Sequence, residues 1–173
     1  DIRGTFKTYG NTVSVIRAKL AADVAATATS STTDVSTGWK NGDLIAVPST
    51  SRTTSQYEAI TLNADASGTS LSHSAYVNAH GGNSSTLIQA DIANLTRNIT
   101  VTSTSTTNRT YILLNSFGTI SCYYTAFLDL GTASLGGFQF TSTSNNVIDF
   151  QYNVWRQTVL GSFIQFNASA VAG

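Results

Sequence analysis

Ile120-Ser121-Cys122-Tyr123-Tyr124 and Ile148-Asp149-Phe150-Gln151-Tyr152 are the two pieces of this chain whose comparison decides its fold. Each alternates apolar and polar residues over its first four positions, the pattern of a strand with one face buried. They recur at 148 − 120 = 28 residues, and a neighbouring pair, Ile112 and Phe138, recurs at 138 − 112 = 26. Further apolar groups follow the same order, with Phe127-Leu128-Asp129-Leu130-Gly131 in one repeat and Val154-Trp155 in the next. Such a period suits one coil of a parallel β-solenoid, and Phe163-Ile164-Gln165-Phe166-Asn167 opens a third coil. One coil of short strands cannot enclose its own apolar side, so each must lean on the coil above and below. An antiparallel β-sandwich is the alternative, since it also yields short strands and Gly-rich turns.

Composition bounds the function. Of 173 residues, 41% are hydrophobic but only 10% are charged, against a usual quarter, so Ser, Thr and Asn must dress the surface. Nine basic and nine acidic side chains cancel, leaving no electrostatic footprint for nucleic acid. No apolar run reaches the roughly 18 residues that cross a bilayer and no signal peptide is evident, so membrane insertion is not expected. The chain opens on Asp1 without a methionine, as a processed product or the ordered part of something longer would. Cys122 is alone, which excludes an internal disulfide, and its apolar setting suits a small core filler better than a nucleophile. Low charge, one cysteine and no methionine fit an extracellular, cell-surface or virion-surface location.

The first half carries strand and turn signals. Gly4-Thr5-Phe6-Lys7-Thr8-Tyr9-Gly10 alternates like a strand between glycines, and residues 11–20 continue in kind, although 17–26 are Ala-rich enough to allow a short helix. Residues 27–37 read as a strand and a polar turn. Trp39-Lys40-Asn41-Gly42-Asp43 is a tight turn feeding Leu44-Ile45-Ala46-Val47, and residues 63–69 form a hairpin turn joining antiparallel strands over 56–62 and 70–77. The histidine turn Val77-Asn78-Ala79-His80-Gly81-Gly82 and the segment from Ile92 through Arg97-Asn98 to Val101 complete the series. In this order and spacing the pieces resemble the G-eight domain, with Trp39, Gly42, Asp43, Glu58, His80, Arg97 and Asn98 at its motif positions. The chain departs from that family's pattern in lacking a tryptophan near Val15 and in having Leu44 where an acidic residue usually follows Gly-Asp. The resemblance implies an all-β chain in which a G-eight-like module over residues 1–101 continues into parallel β-helix coils over 102–173. It also implies one of two settings, secreted hyaluronidase-like enzymes or receptor-like proteins of the fibrocystin type.

Candidate residues are few. Glu58, the sole glutamate, could act as a general acid, but an ion pair with Arg97 is the preferred reading. His80 could be a base or a metal ligand, yet no ligand spacing surrounds it, so a turn histidine bonded to backbone is expected, with neither metal nor cofactor. Asp129 and Asp149 are the remaining catalytic candidates. They lie 149 − 129 = 20 residues apart, short of the period, so the alignment sets Asp149 opposite Ser121 and disfavours a stacked carboxylate pair. Among the aromatics Tyr123, Tyr124, Tyr152, Trp155 and Phe166, the set Tyr124, Tyr152 and Trp155 is the candidate ligand surface, suited to sugar stacking or to a neighbouring subunit, including another copy of the chain. Asn-x-Ser/Thr sequons stand at Asn83, Asn94, Asn98, Asn108 and Asn167. The expected function is a non-catalytic structural or adhesive module that contacts glycans or subunits; the alternative is part of a polysaccharide-degrading, hyaluronidase-like enzyme.

Overall fold

The computed structural model describes residues 2, 4–82, 88–105, 107–114, 118–132, 136–140 and 147–156, together with the backbone of 164–166. The chain is all-β. Its strands in order are β1 (Thr5–Tyr9), β2 (Arg17–Lys19), β3 (Ser30–Thr32), β4 (Leu44–Val47), β5 (Glu58–Thr61), β6 (Ser70–Ser72), β7 (Asp91–Asn94), β8 (Ile99–Thr102), β9 (Ile112–Leu114), β10 (Thr119–Tyr123), β11 (Thr125–Leu128), β12 (Phe138–Phe140), β13 (Val147–Gln151), β14 (Val154–Arg156) and β15 (Ile164–Phe166). They fall into two compact units, Asp1–Thr12 with Arg97–Gly173, and Val13–Thr96.

In the first unit every pairing is parallel. Three sheets have the orders β1-β10-β13, β8-β11-β14 and β9-β12-β15. Successive strands step from the first sheet to the second to the third and back, so β1, β8 and β9 form one tier, β10 to β12 the next and β13 to β15 the last. The register is the one expected from spacing: Ile112 faces Phe138, Ile120 faces Ile148, and Ser121 faces Asp149. Ile120 and Cys122 are fully buried with Leu114, Phe127 and Phe138, while Phe150 and Trp155 pack against that cluster. Phe127 stacks on Trp155 at 4.6 Å and meets Phe138 edge-on at 5.0 Å, geometries that each add about 0.5–1.5 kcal/mol to the burial itself.

A single corner residue joins the first and second strands of the second tier. Tyr124 stands between β10 and β11 in the left-handed region at φ 49°, and Tyr152 follows β13 at φ 57°. In the first tier the register puts both Gly10 and Asn98 at the Tyr124 position. Residues 11–97 are therefore inserted at a one-residue corner. Asn98 Oδ1 accepts the Asn11 amide at 2.6 Å, and a Cβ on Gly10 would collide with the Tyr124 carbonyl, so the crowding explains the glycine.

The second unit is antiparallel, with sheet orders β2-β7-β4-β5 and β3-β6. Its strands alternate buried and exposed residues, and Trp39, Ile45, Ile60, Leu71, Tyr76 and Ile92 close a separate core. Where a division is expected at residue 101, the two units instead divide the chain after Thr12 and before Arg97: β1 belongs with β10, and residues 13–96 form the inserted unit. Residues 17–26 form no helix; Arg17-Ala18-Lys19 alternates exposed, buried and exposed and pairs with β7, and the burial of Ala18 and Leu20 that this pairing brings wins over alanine propensity. The strands on either side of residues 63–69 meet in an antiparallel bridge, Leu62 with His73, but β5 and β6 then join different sheets. Antiparallel pairing, the alternative reading, holds for this unit alone.

Because each unit has its own core, a chain in which Gly10 is joined directly to Ile99 should keep a β-type far-UV spectrum and a cooperative denaturant transition. In either chain Phe138→Ala should cost roughly 3–5 kcal/mol in that unit, read from the shift in the unfolding midpoint.

Candidate functional site

The Trp39 to Asp43 motif is a structural turn. The Lys40 carbonyl accepts from Asp43 N at 3.0 Å with Gly42 at φ 87°, the positive value that a type II turn requires at its third position. The Asp43 carboxylate caps Lys40 N at 2.8 Å and accepts from Asn94 Nδ2 at 2.7 Å, which ties the turn to β7. Trp39 is buried, and its indole donates to the Val15 carbonyl. Asn94 is consequently buried in this network, so its sequon is not displayed. Asn83 and Asn167 lie outside the described residues.

Glu58 and His80 come together, but not as a reactive pair. Glu58 Oε2 accepts from Val77 N at 2.7 Å; Oε1 accepts from Asn78 N at 2.9 Å and lies 2.8 Å from His80 Nε2. His80 Nδ1 is 3.0 Å from the Pro48 carbonyl. The Pro48 carbonyl can only accept, so Nδ1 donates to it. Burial pushes the Glu58 carboxyl up, but the bonds from Val77 N, His80 and Asn78 N outweigh it and hold the carboxyl below its ordinary value. The His80 side chain has no exposed surface, so the pair latches the 77–80 turn to β5 instead of facing a substrate. The expected Glu58–Arg97 ion pair does not form: His80 takes that place, and Arg97 Nε donates to the Tyr152 carbonyl at 2.9 Å. A second buried pair, His73 Nε2 with Ser31 Oγ at 3.1 Å, is sealed beneath Tyr76 and is likewise structural.

The carboxylates of the parallel unit stay apart in register. Asp149 shares a row with Ser121 and Lys7, whereas Asp129 lies past the end of β11, 3.6 Å from the buried Arg109. The Tyr123 hydroxyl donates to Asp149 Oδ2, and Gln151 Nε2 donates to Oδ1 at 3.0 Å. The Tyr123 bond, then that from Gln151, holds the Asp149 carboxyl low, and the same contact raises the phenol. Cys122 is a buried filler whose thiol is pushed up by burial.

What the fold does assemble is a tyrosine face. On the outer side of the first sheet Tyr9 stacks on Tyr123 with centroids 5.3 Å apart and planes 15° apart. At the adjoining corner Tyr124 stacks on Tyr152 at 4.9 Å and 19°. Tyr9 is 60% exposed and Tyr152 51%. Of the three aromatics expected at a ligand surface, Tyr124 and Tyr152 are brought together, while Trp155 turns inward because its register partner is the core residue Phe127. Phe166 lies in β15, whose side chains are outside the described set. Tyr9 was not anticipated. Its signal was nevertheless present, since Thr5-Phe6-Lys7-Thr8-Tyr9 parallels Thr119-Ile120-Ser121-Cys122-Tyr123.

No protein-family model and no curated protein sequence matches the chain, so the G-eight resemblance has no family match behind it. Among solved structures the chain is similar to the tailspike gp61 of Pseudomonas phage phi297, at 13% identity and a TM-score of 0.39, over 83% of this chain and 21% of that one. It is also similar to the tailspike gp49 of Pseudomonas phage LKA1, at 14% identity and a TM-score of 0.40, over 83% of this chain and 23% of that one. The chain therefore spans less than a quarter of the length of either tailspike.

The Glu58 latch has a pH signature. A carboxyl held below its ordinary value stabilises the fold above the unfolded value, near 4.3, and loses that contribution as pH falls through the folded value. Glu58→Gln should therefore cost on the order of 1.5–3 kcal/mol at neutral pH, with the gap to the parent narrowing below about pH 4, measured by urea unfolding across pH.

Proposed function

We propose that the parallel tiers form a β-solenoid and that the chain is a structural, non-catalytic module of an extracellular, cell-surface or virion-appendage protein, contacting glycans through its tyrosine face. The carrying observation is the two stacked tyrosine pairs, Tyr9 on Tyr123 on the outer side of the first sheet and Tyr124 on Tyr152 at its adjoining corner. Parallel backbone pairing fixes ring spacing close to the roughly 4.8 Å between strands, so little order has to be imposed when a ligand arrives. The apolar face of a sugar ring can lie on such rings while its hydroxyls reach Asp149 and Gln151 beside them. A face of this kind equally suits a neighbouring subunit of like chemistry.

The alternative, cleavage of a polysaccharide, would need an acid and a base or nucleophile at working separation. The arrangement supports the binding reading better, since Asp149 is engaged by Tyr123, Asp129 sits by Arg109, and Glu58 is latched to His80.

A glycan array followed by chromatography of the bound polysaccharides separates the two. Retention without shortened products is expected, with Tyr152→Ala weakening it roughly tenfold, the loss of one aromatic contact. Depolymerisation that disappears in Asp149→Asn or Asp129→Asn would replace binding by catalysis.

A further inference from the structure

Resting on that reading, we infer that the tyrosine face selects acidic saccharides, with Lys7 as the residue that recognises the carboxylate and Tyr9 as the platform for the ring. Lys7 and Tyr9 are two positions apart on β1 and lie on its exposed side, with Thr8 between them turned inward to Thr125 and Phe6 before them packed on the core. Their Cα atoms are thus about 6.6 Å apart along the strand, so a ring seated on Tyr9 can hold an exocyclic carboxylate against the Lys7 ammonium. One face of the Tyr9 ring is taken by Tyr123 and the residue is still 60% exposed, which leaves the other face of the ring for a ligand.

Charge decides the class of sugar. Among the described residues Lys7 makes no hydrogen bond or ion pair, so its charge is available. The anion on the same face is Asp149, whose two oxygens accept from Tyr123 and Gln151. Ser121 separates it from Lys7 in the row, placing the two about 9.6 Å apart at the backbone, roughly a Debye length at physiological salt. A ligand carboxylate against Lys7 therefore feels the near cation more than the distant anion. A neutral sugar gains at most a hydrogen bond from Lys7 and no ion pair, and a cationic one is repelled.

The test compares oligogalacturonide with its uncharged galacto-oligosaccharide counterpart on the full chain by titration calorimetry. The acidic ligand should bind roughly three- to fivefold more tightly, the yield of one exposed ion pair, and the preference should fade as salt rises from about 0.05 M to about 0.5 M. Lys7→Ala should erase the preference and Lys7→Arg keep it, while Arg52→Ala on the other unit should leave it intact; circular dichroism checks that each variant folds. Equal affinity for both sugars, or a preference that survives Lys7→Ala, overturns the inference and leaves the glycan-binding reading standing if Tyr152→Ala still weakens both. Binding of neither sugar, with the array also blank, overturns both.

Discussion

A backbone that has been extended into short parallel strands must find its hydrogen-bond partners in the tier next to it, and that demand governs the first unit. β10 satisfies β1 on one side and β13 on the other, and the same holds for β11 between β8 and β14. Unpaired buried backbone groups are too costly for the tiers to slip independently. A slip by one residue would also turn Ile120 and Cys122 outward and bury Ser121 and Tyr123 in their place. Backbone pairing and apolar burial therefore agree on one register, and the tyrosine ladder is a by-product of that agreement.

The insertion obeys the same constraint. A corner tolerates added chain because it lies outside the strand ladders, and loop length itself costs little once the ends are held. Here the ends are held by β1 and β8, and the Asn98 carboxamide to Asn11 amide bond closes the seam. The inserted residues bring a core of their own, built on Trp39 and on the Asp43 turn, so nothing in the parallel unit has to supply their stability.

Chemistry divides between the units in an instructive way. The residues with the most reactive-looking neighbours, Glu58 with His80 and Ser31 with His73, are sealed and serve folding. Lys7, Tyr9 and Tyr152, whose side chains pair with no carboxylate or imidazole, are the ones open to solvent and fixed in spacing. Accessibility, more than residue type, decides which of them can meet a ligand.

The chain's letters alone determined the period, and with it the parallel register of Ile112 with Phe138 and of Ile120 with Ile148, because side chains that alternate about a shared core must recur in the sequence. They also disclosed the turn at Gly42-Asp43 and the inert setting of Cys122, both local consequences of backbone freedom and apolar flanks. Only the tertiary structure decided that β1 stacks on β10, that Trp155 faces inward while Tyr9 does not, and that Glu58 is latched to His80 instead of Arg97. Those contacts join residues far apart in the chain. Which distant partner β1 receives is set by where the insertion leaves and rejoins the tiers, and which partner Glu58 receives by how the inserted strands fold on one another; no local pattern encodes either distance.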